Sequence, residues 1–329
     1  MTSEFVSPLS LSRYNHDRDS GNRSREGHLD EVWARDTTRV LVLSKGKAFG
    51  RVVTDAAHDP GFELAFLSPQ TVTTLNVELV ERIYLGKADH ADEHFVAIVV
   101  AADARDVIGN SGLVETAPEW GDLRVWGHAM SPRDTGLFTQ ALALANWHAS
   151  HLFSPSSGEP TQATSAGWVR TSTSNQQMFP RTDVAVIVLV TDDDDRILLG
   201  NNAMWESNRY SLLAGYVDPG EALEAAVERE VFEESGLRID RAEYVGSQPW
   251  PFPASLMVGF VARVRADAQA TDVHPDGEEI VSLRWFSRDE LRASLDDIVL
   301  PGRTSIARAL IEQWYGEPLD QNDVWLGSR

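Results

Sequence analysis

The stretch GYVDPGEALEAAVEREVFEESGL, residues 215–237, decides how the second half of this chain folds and what chemistry it can host. Asp218-Pro219-Gly220 ends the strand-like run SLLAGYV and opens a helical run from about Ala222 to Ser235, with Gly236 at the left-handed stop position. At about 100° per residue, Leu223, Val227 and Val231 form an apolar stripe, and Glu224 and Glu228 turn away to solvent. Glu230 and Glu234 fall nearly in line with Leu223 and Val227, and Glu233 lies about one turn-edge away. Carboxylates are therefore aimed where burial is expected.

Most Glu-rich helices are simply solvated, and composition alone favours that reading here too. The geometry argues against it. Two carboxylates about 5 Å apart repel by roughly 3 kcal/mol at an effective dielectric of about 20, so three of them near a half-buried face call for a cation. Oxygen-only ligands favour a hard ion such as Mg²⁺ or Mn²⁺.

These residues resemble the Nudix hydrolases. Gly215, five residues, Glu221, seven residues and then Arg229 to Leu237 look like the complete Nudix box with no fixed position missing. The resemblance implies that Glu230, Glu233 and Glu234 ligate metal that bridges a diphosphate, that Arg229 holds these catalytic glutamates in position, and that the substrate is a nucleoside diphosphate linked to another group. A second word, SQPWPFPASLM at residues 247–257, looks like the signature that follows the box in NADH pyrophosphatases. Three prolines cannot belong to a central strand, so Gln248 to Ala254 are expected to form an ordered loop presenting Trp250 and Phe252; packing of that loop over the core is the structural alternative.

The resemblance further implies that Ser247, Gln248, Pro249, Trp250, Pro251, Phe252, Pro253, Ala254 and Ser255 hold a dinucleotide as a block. By the same token Phe179 and Tyr216 sandwich its adenine and Ala307 lies in a substrate-contacting segment. Metal is implied at Glu279 and at the Ala214 backbone carbonyl, with the adjacent Glu278 leaving the register open by one residue. Relatives often carry a four-cysteine zinc ribbon before the Nudix domain, yet this chain has no cysteine. Ser154, Ser157, Ser172 and a residue near Ser174 stand roughly where the thiolates would be. Hydroxyls are poor zinc ligands, so no zinc is expected, and His148 and His151 read as helix-surface or packing residues.

With 329 residues and 42% apolar content the chain has room for two cored domains, and no disulfide can form. The first residues lack the basic start and apolar core of a secretory signal, and the longest apolar runs, FVAIVVAA and VAVIVLV, are too short to span a bilayer, so a cytoplasmic protein is expected. The 29 basic and 50 acidic residues give a formal charge of −21, which disfavours broad binding to nucleic acid.

Alternating runs and turns divide the chain into a polar, loose segment 1–31, an α/β domain 32–153 with an apolar helical repeat over 137–153, a connector 154–178, and a second domain 179–329. The expected class is α/β (α+β): a Nudix fold with a mixed β-sheet packed between helices, preceded by a smaller Nudix-like domain that shows no box. Ser287 with Glu290 forms a capping-box pattern, and Ser305 to Tyr315 form the last helix.

The resemblance implies metal-dependent hydrolysis of NADH or NAD⁺ to nicotinamide mononucleotide and AMP, extension to NAD-capped RNA, and a homodimer. Three rivals stay open: a Nudix enzyme for ADP-ribose or a diadenosine polyphosphate, a non-catalytic nucleotide sensor, and a nicotinamide-dependent redox enzyme. The chain contains no G-x-G-x-x-G, which weighs against the last.

Overall fold

The computed structural model describes residues 9–55, 58–112, 118–266 and 272–319. They cluster into two compact units. One contains the segment ending at Ser12, Asp183–Pro249 and the chain from Ser255 onward; the other contains Arg13–Thr182 and Trp250–Ala254.

The second of these units is built on β1 (Thr38–Ser44), β2 (Lys47–Asp55), β3 (His58–Leu64), β4 (Phe66–Leu67), β5 (Leu79–Lys87), β6 (His94–Val100) and β7 (Pro118–Asp122). They form one sheet in the order β3-β2-β1-β6-β5, with β4 on β1 and β7 on β2. The Lys45-Gly46 turn that joins β1 to β2 has positive φ at both residues, the twist a tight hairpin requires. Its helices are α1 (His28–Trp33), α2 (Pro69–Leu75), α3 (Ala104–Gly109), α4 (Leu123–Trp126) and α5 (Pro132–Ser150). α5 starts five residues earlier than the apolar repeat indicates, because Ser131 caps the Asp134 N–H and Pro132 occupies the first helical position.

The expected loose segment is corrected from Leu9 onward; residues 1–8 lie outside the described residues. Leu9, Leu11, His16, Asp19 and His28 are buried. Part of the cost of burying these polar groups is met by hydrogen bonds: the Tyr84 hydroxyl donates to Asp19 at 2.9 Å, and His16 meets Gln140 at 3.0 Å. The connector is also more ordered than its composition suggests. β8 (Thr161–Thr164), β9 (Val169–Ser172) and β10 (Gln177–Met178) make a three-stranded antiparallel sheet.

In place of thiolates, the two turns of this small sheet carry a hydroxyl and carboxylate network. Ser154 and Ser156 meet Gln176 at 3.3 and 2.8 Å, and Ser174 donates to Glu159 at 2.6 Å. Ser172 and Ser174 hydroxyls are 3.1 Å apart, and the Ser157 N–H reaches Ser154 at 3.4 Å.

The other unit carries β11 (Asp183–Thr191), β12 (Ile197–Asn202), β13 (Leu213–Tyr216), β14 (Glu243–Trp250), β15 (Ser255–Arg263) and β16 (Ile280–Phe286), with α6 (Leu223–Ser235), α7 (Arg288–Ser294) and α8 (Ile306–Tyr315). The sheet order is β14-β15-β11-β12-β16, with β13 on β11 and a parallel pairing of β11 with β15. VAVIVLV is continuous rather than alternating in hydrophobicity because both faces of β11 are covered. Ile187 and Leu189 pack in a core with Ile306, Leu310 and Ile311 of α8. Val186, Val188 and Val190 pack with Ala226, Val227 and Val231 of α6.

Residues Gln248–Trp250 are not a loop but the end of β14, so the expected span shrinks to residues 251–254. The reason is position: β14 is the edge strand, where Pro249 is tolerated without breaking a central ladder.

Candidate active site

The site is assembled from β13, the turn after it and α6. α6 begins after Ala222, ends at Ser235 and is stopped by Gly236 at φ 72°. Val227 and Val231 anchor it to the sheet, which puts Glu234 in the same buried face, 4% exposed, with Glu230 half-buried one turn earlier. Close approach of α6 to β13 is possible because residue 215 has no side chain. A Cβ there would lie 2.0 Å from the Glu230 carboxyl carbon.

Arg229 fixes the geometry. Its Nε and Nη2 donate to the two oxygens of Glu221, each at 2.8 Å, its Nη1 donates to Glu230 at 2.8 Å and Glu233 at 3.0 Å, and its Nη2 also reaches the Tyr216 carbonyl at 2.9 Å. One guanidinium thus ties the turn, the strand end and two box glutamates into one arrangement. The bond from Arg229 is the main reason the Glu221 carboxyl is held down at about 2.

Glu234 behaves in the opposite way. Burial first, then the charges of Glu279 and Glu230, push its carboxyl up to about 9, against the pull of an Ala214 N–H that donates to it at 3.2 Å. Burial also raises Glu230, although Arg229 beside it pulls down. Glu279 therefore joins the cluster electrostatically. Its loop is presented by Asp276, whose Oδ1 accepts the N–H groups of Glu278, Glu279 and Ile280 at 3.0, 3.1 and 2.8 Å. Sequence reasoning passed over Asp276 and gave Glu221 no role. The signals were an Asp-Gly turn immediately before a strand, and a box glutamate eight residues ahead of the arginine.

Among the described residues, no three acidic or histidine side chains stand at the spacing of a ready-made metal cage. Arg229 engages Glu230 and Glu233, and the Ala214 N–H engages Glu234. The donor chemistry still fits a hard divalent cation. All the groups are oxygens, and a buried carboxyl raised by neighbouring carboxylates is one that a cation would return to its charged form. At Ala214 the contact shown is made by the N–H rather than the carbonyl.

Phe179 and Tyr216 are both exposed, 65% and 56%, and the Tyr216 hydroxyl lies 3.0 Å from Ser255 Oγ. Trp250 and Phe252 meet edge to face at 4.9 Å. Two expected substrate residues, Gln248 and Ala307, are buried. Gln248 is fully buried, accepting the Leu11 N–H at 3.2 Å and donating to the Thr304 carbonyl at 3.0 Å, so both ends of its amide are used internally. Ala307 is 4% exposed and belongs to the α8 core.

Residues 181–309 match the description "NUDIX domain", and residues 37–147 match "NADH pyrophosphatase-like rudimentary NUDIX domain". The chain carries a Nudix domain behind a rudimentary Nudix-like one. A Mycobacterium bovis protein named NAD-capped RNA hydrolase NudC is 45% identical over 204 residues, 59% of this chain and 64% of that protein. A human protein named NAD-capped RNA hydrolase NUDT12 is 32% identical over 200 residues, 56% of this chain and 42% of that protein. The chain thus spans less than two thirds of the relatives it matches. A solved NUDIX hydrolase from Nitrosomonas europaea aligns with TM-score 0.40 and 19% identity over 50% of this chain and 94% of its own. Within the Nudix domain the arginine, five glutamates and Gly215 described above are the chemically distinctive cluster, and the rudimentary domain has no counterpart of the box.

Proposed function

We propose that this protein hydrolyses the diphosphate of NADH or NAD⁺ to nicotinamide mononucleotide and AMP, and that the NAD cap of RNA is a second substrate. The observation that carries the reading is the Arg229-centred cluster, in which one guanidinium holds Glu221, Glu230 and Glu233 and the buried Glu234 lies one turn from Glu230. The names of the relatives and the SQPWPFPAS word support the dinucleotide over other Nudix substrates.

Glu230, Glu234 and Glu279, with Glu233 and the Ala214 carbonyl as further donors, would hold Mg²⁺ or Mn²⁺, which supplies positive charge against the diphosphate and Lewis acidity toward its oxygens. The chain's own residues do the rest. Arg229 keeps Glu230 and Glu233 from swinging away. Glu233 or Glu234 accepts the proton of the attacking water as its oxygen bonds to phosphorus, and the bond from that phosphorus to the bridging oxygen breaks. Phe179 and Tyr216 stack the adenine, and Trp250 and Phe252 shape the remainder of the dinucleotide pocket. The connector sheet is held by its Ser, Gln and Glu bonds without zinc, and the active assembly is a cytoplasmic homodimer.

A panel of NADH, NAD⁺, NAD-capped RNA, ADP-ribose and diadenosine polyphosphates, scored for AMP release with Mg²⁺ or Mn²⁺, tests the substrate. Zinc assay of the same preparation tests the connector, and sedimentation tests the dimer. Glu234→Gln is expected to keep the fold and to lose nearly all hydrolysis. Retention of more than about a tenth of the parent rate at saturating Mg²⁺, a barrier change below roughly 1.4 kcal/mol, would refute the assignment of Glu234 to the metal.

A further inference from the structure

The exposed turn Pro275-Asp276-Gly277-Glu278-Glu279 runs directly into β16, and its backbone is bonded more fully than a surface turn requires. Gly277 takes φ 77°, and its N–H closes the turn on the Ile280 carbonyl at 3.0 Å. The next three N–H groups, of Glu278, Glu279 and Ile280, converge on one oxygen, Asp276 Oδ1, at 3.0, 3.1 and 2.8 Å. Successive N–H groups aimed at one point make a nest for an anion, and here the chain supplies the anion itself.

The turn is also tied at both ends. The His274 N–H donates at 2.9 Å to the carbonyl of Ser235, the last residue of α6 and the neighbour of Glu234. The Glu279 carbonyl accepts the Ala203 N–H at 2.8 Å just beyond β12, whose last residue, Asn202, pairs with Ile280. Both backbone groups of Glu279 are thus engaged, the N–H by Asp276 and the carbonyl by Ala203. Its carboxylate is the neighbouring charge that bears most on Glu234, after burial and ahead of Glu230.

We propose that Asp276 is a positioning residue for the metal centre: by collecting the N–H groups of residues 278–280 it fixes the backbone from which Glu279 serves as a ligand together with Glu230 and Glu234. This rests on the hydrolase reading above. Asp276 acts through Glu279, and order fixed in advance lowers the cost of recruiting that ligand.

Mn²⁺ binding to the substrate-free protein, followed by the paramagnetic resonance of the free ion, is compared in the parent, Asp276→Ala, Asp276→Asn, Glu279→Gln and the double variant Asp276→Ala/Glu279→Gln. Mg²⁺ activation of NADH hydrolysis is measured alongside. Asp276→Ala is expected to weaken Mn²⁺ binding about tenfold, the usual effect of removing the partner behind a ligand, and to raise the Mg²⁺ concentration for half-activation by a similar factor. At saturating Mg²⁺ its kcat is expected to stay within about threefold of the parent, and its melting temperature within a few degrees, because the turn is exposed. Asp276→Asn keeps the accepting oxygen and loses only charge, so it is expected to bind Mn²⁺ within about threefold of the parent. The double variant is expected to match Glu279→Gln within about twofold, because a residue that acts through another has nothing to act on once that one is gone. Parent-like Mn²⁺ binding in Asp276→Ala overturns the proposal. So do losses that add in full in the double variant, which would mean that Asp276 acts by its own charge. If Glu279→Gln binds Mn²⁺ like the parent, the assignment of metal to Glu279 falls and takes the proposal with it. If the Mn²⁺ results hold and the parent leaves NADH intact, the proposal stands and only the substrate reading falls.

Discussion

At the scale of single residues, Gly215 is the position where the site leaves no room for a side chain. Its φ is not in the left-handed region, so the backbone of β13 would accept alanine; what excludes a side chain is the Glu230 carboxylate, with oxygens 2.1 and 2.2 Å from where a Cβ would stand. The end of a flexible glutamate yields more easily than a strand. Gly215→Ala is therefore expected to leave the melting temperature within a few degrees of the parent and to displace Glu230 instead, lowering hydrolysis by about a hundredfold, the usual consequence of an ångström of misplacement at a reacting centre. A variant that hydrolyses normally would show that Glu230 need not lie against β13. A glycine in the Nudix box can be read from sequence as a turn residue, but the atom it makes room for cannot, because that depends on how α6 docks.

At the scale of elements, α6 was legible from its apolar period and the Gly236 stop, α8 from its apolar period and the Ser305 cap, and the doubly covered β11 from its continuous apolar run. The Glu230/Glu234 face was legible for the same reason. What escaped were features set by neighbours: Gln248 buried by the Leu11 and Thr304 backbone, Ala307 drawn into the core, and Pro249 accommodated by an edge. Packing of α5 against β9 is another. The His148 Nε2 donates to the Gly167 carbonyl at 2.8 Å, and Arg170 donates to its Nδ1 at 2.9 Å. Burial first, and then the charge of Arg170, hold His148 at about 4, even with the Glu81 carboxylate 3.4 Å away. The unfolded chain protonates this imidazole near its ordinary value of 6.5 while the fold refuses the proton. Stability contributed by neutral His148 is therefore complete above about pH 6.5 and is lost progressively down to about pH 4, by an amount on the order of 2–3 kcal/mol. His148→Gln, which keeps a donor for Gly167, is expected to flatten that part of the denaturation profile. Parallel profiles for parent and variant would place the acid sensitivity elsewhere.

At the scale of the whole molecule, no described helix is long and apolar enough to cross a membrane. The dominant whole-chain property is the charge of −21, set against the anionic substrate proposed above. On the proposed function, local attraction would come from bound cations and from stacking on Phe179, Tyr216, Trp250 and Phe252, because the long-range field opposes approach. Screening then helps the enzyme. The Debye length falls from about 30 Å at 0.01 M salt to about 8 Å at 0.15 M, so KM for NADH at saturating Mg²⁺ is expected to fall by about two- to fivefold over that range with kcat unchanged. A nucleic-acid binder that works through basic side chains does the reverse, losing affinity steeply as counterion release weakens. NAD-capped RNA multiplies the phosphates, so its turnover should gain from added salt at least as much as that of NADH. A steep decline with salt for the capped RNA alone would reveal a local basic surface that the formal charge conceals, and would make RNA rather than the free dinucleotide the substrate this protein is built to hold.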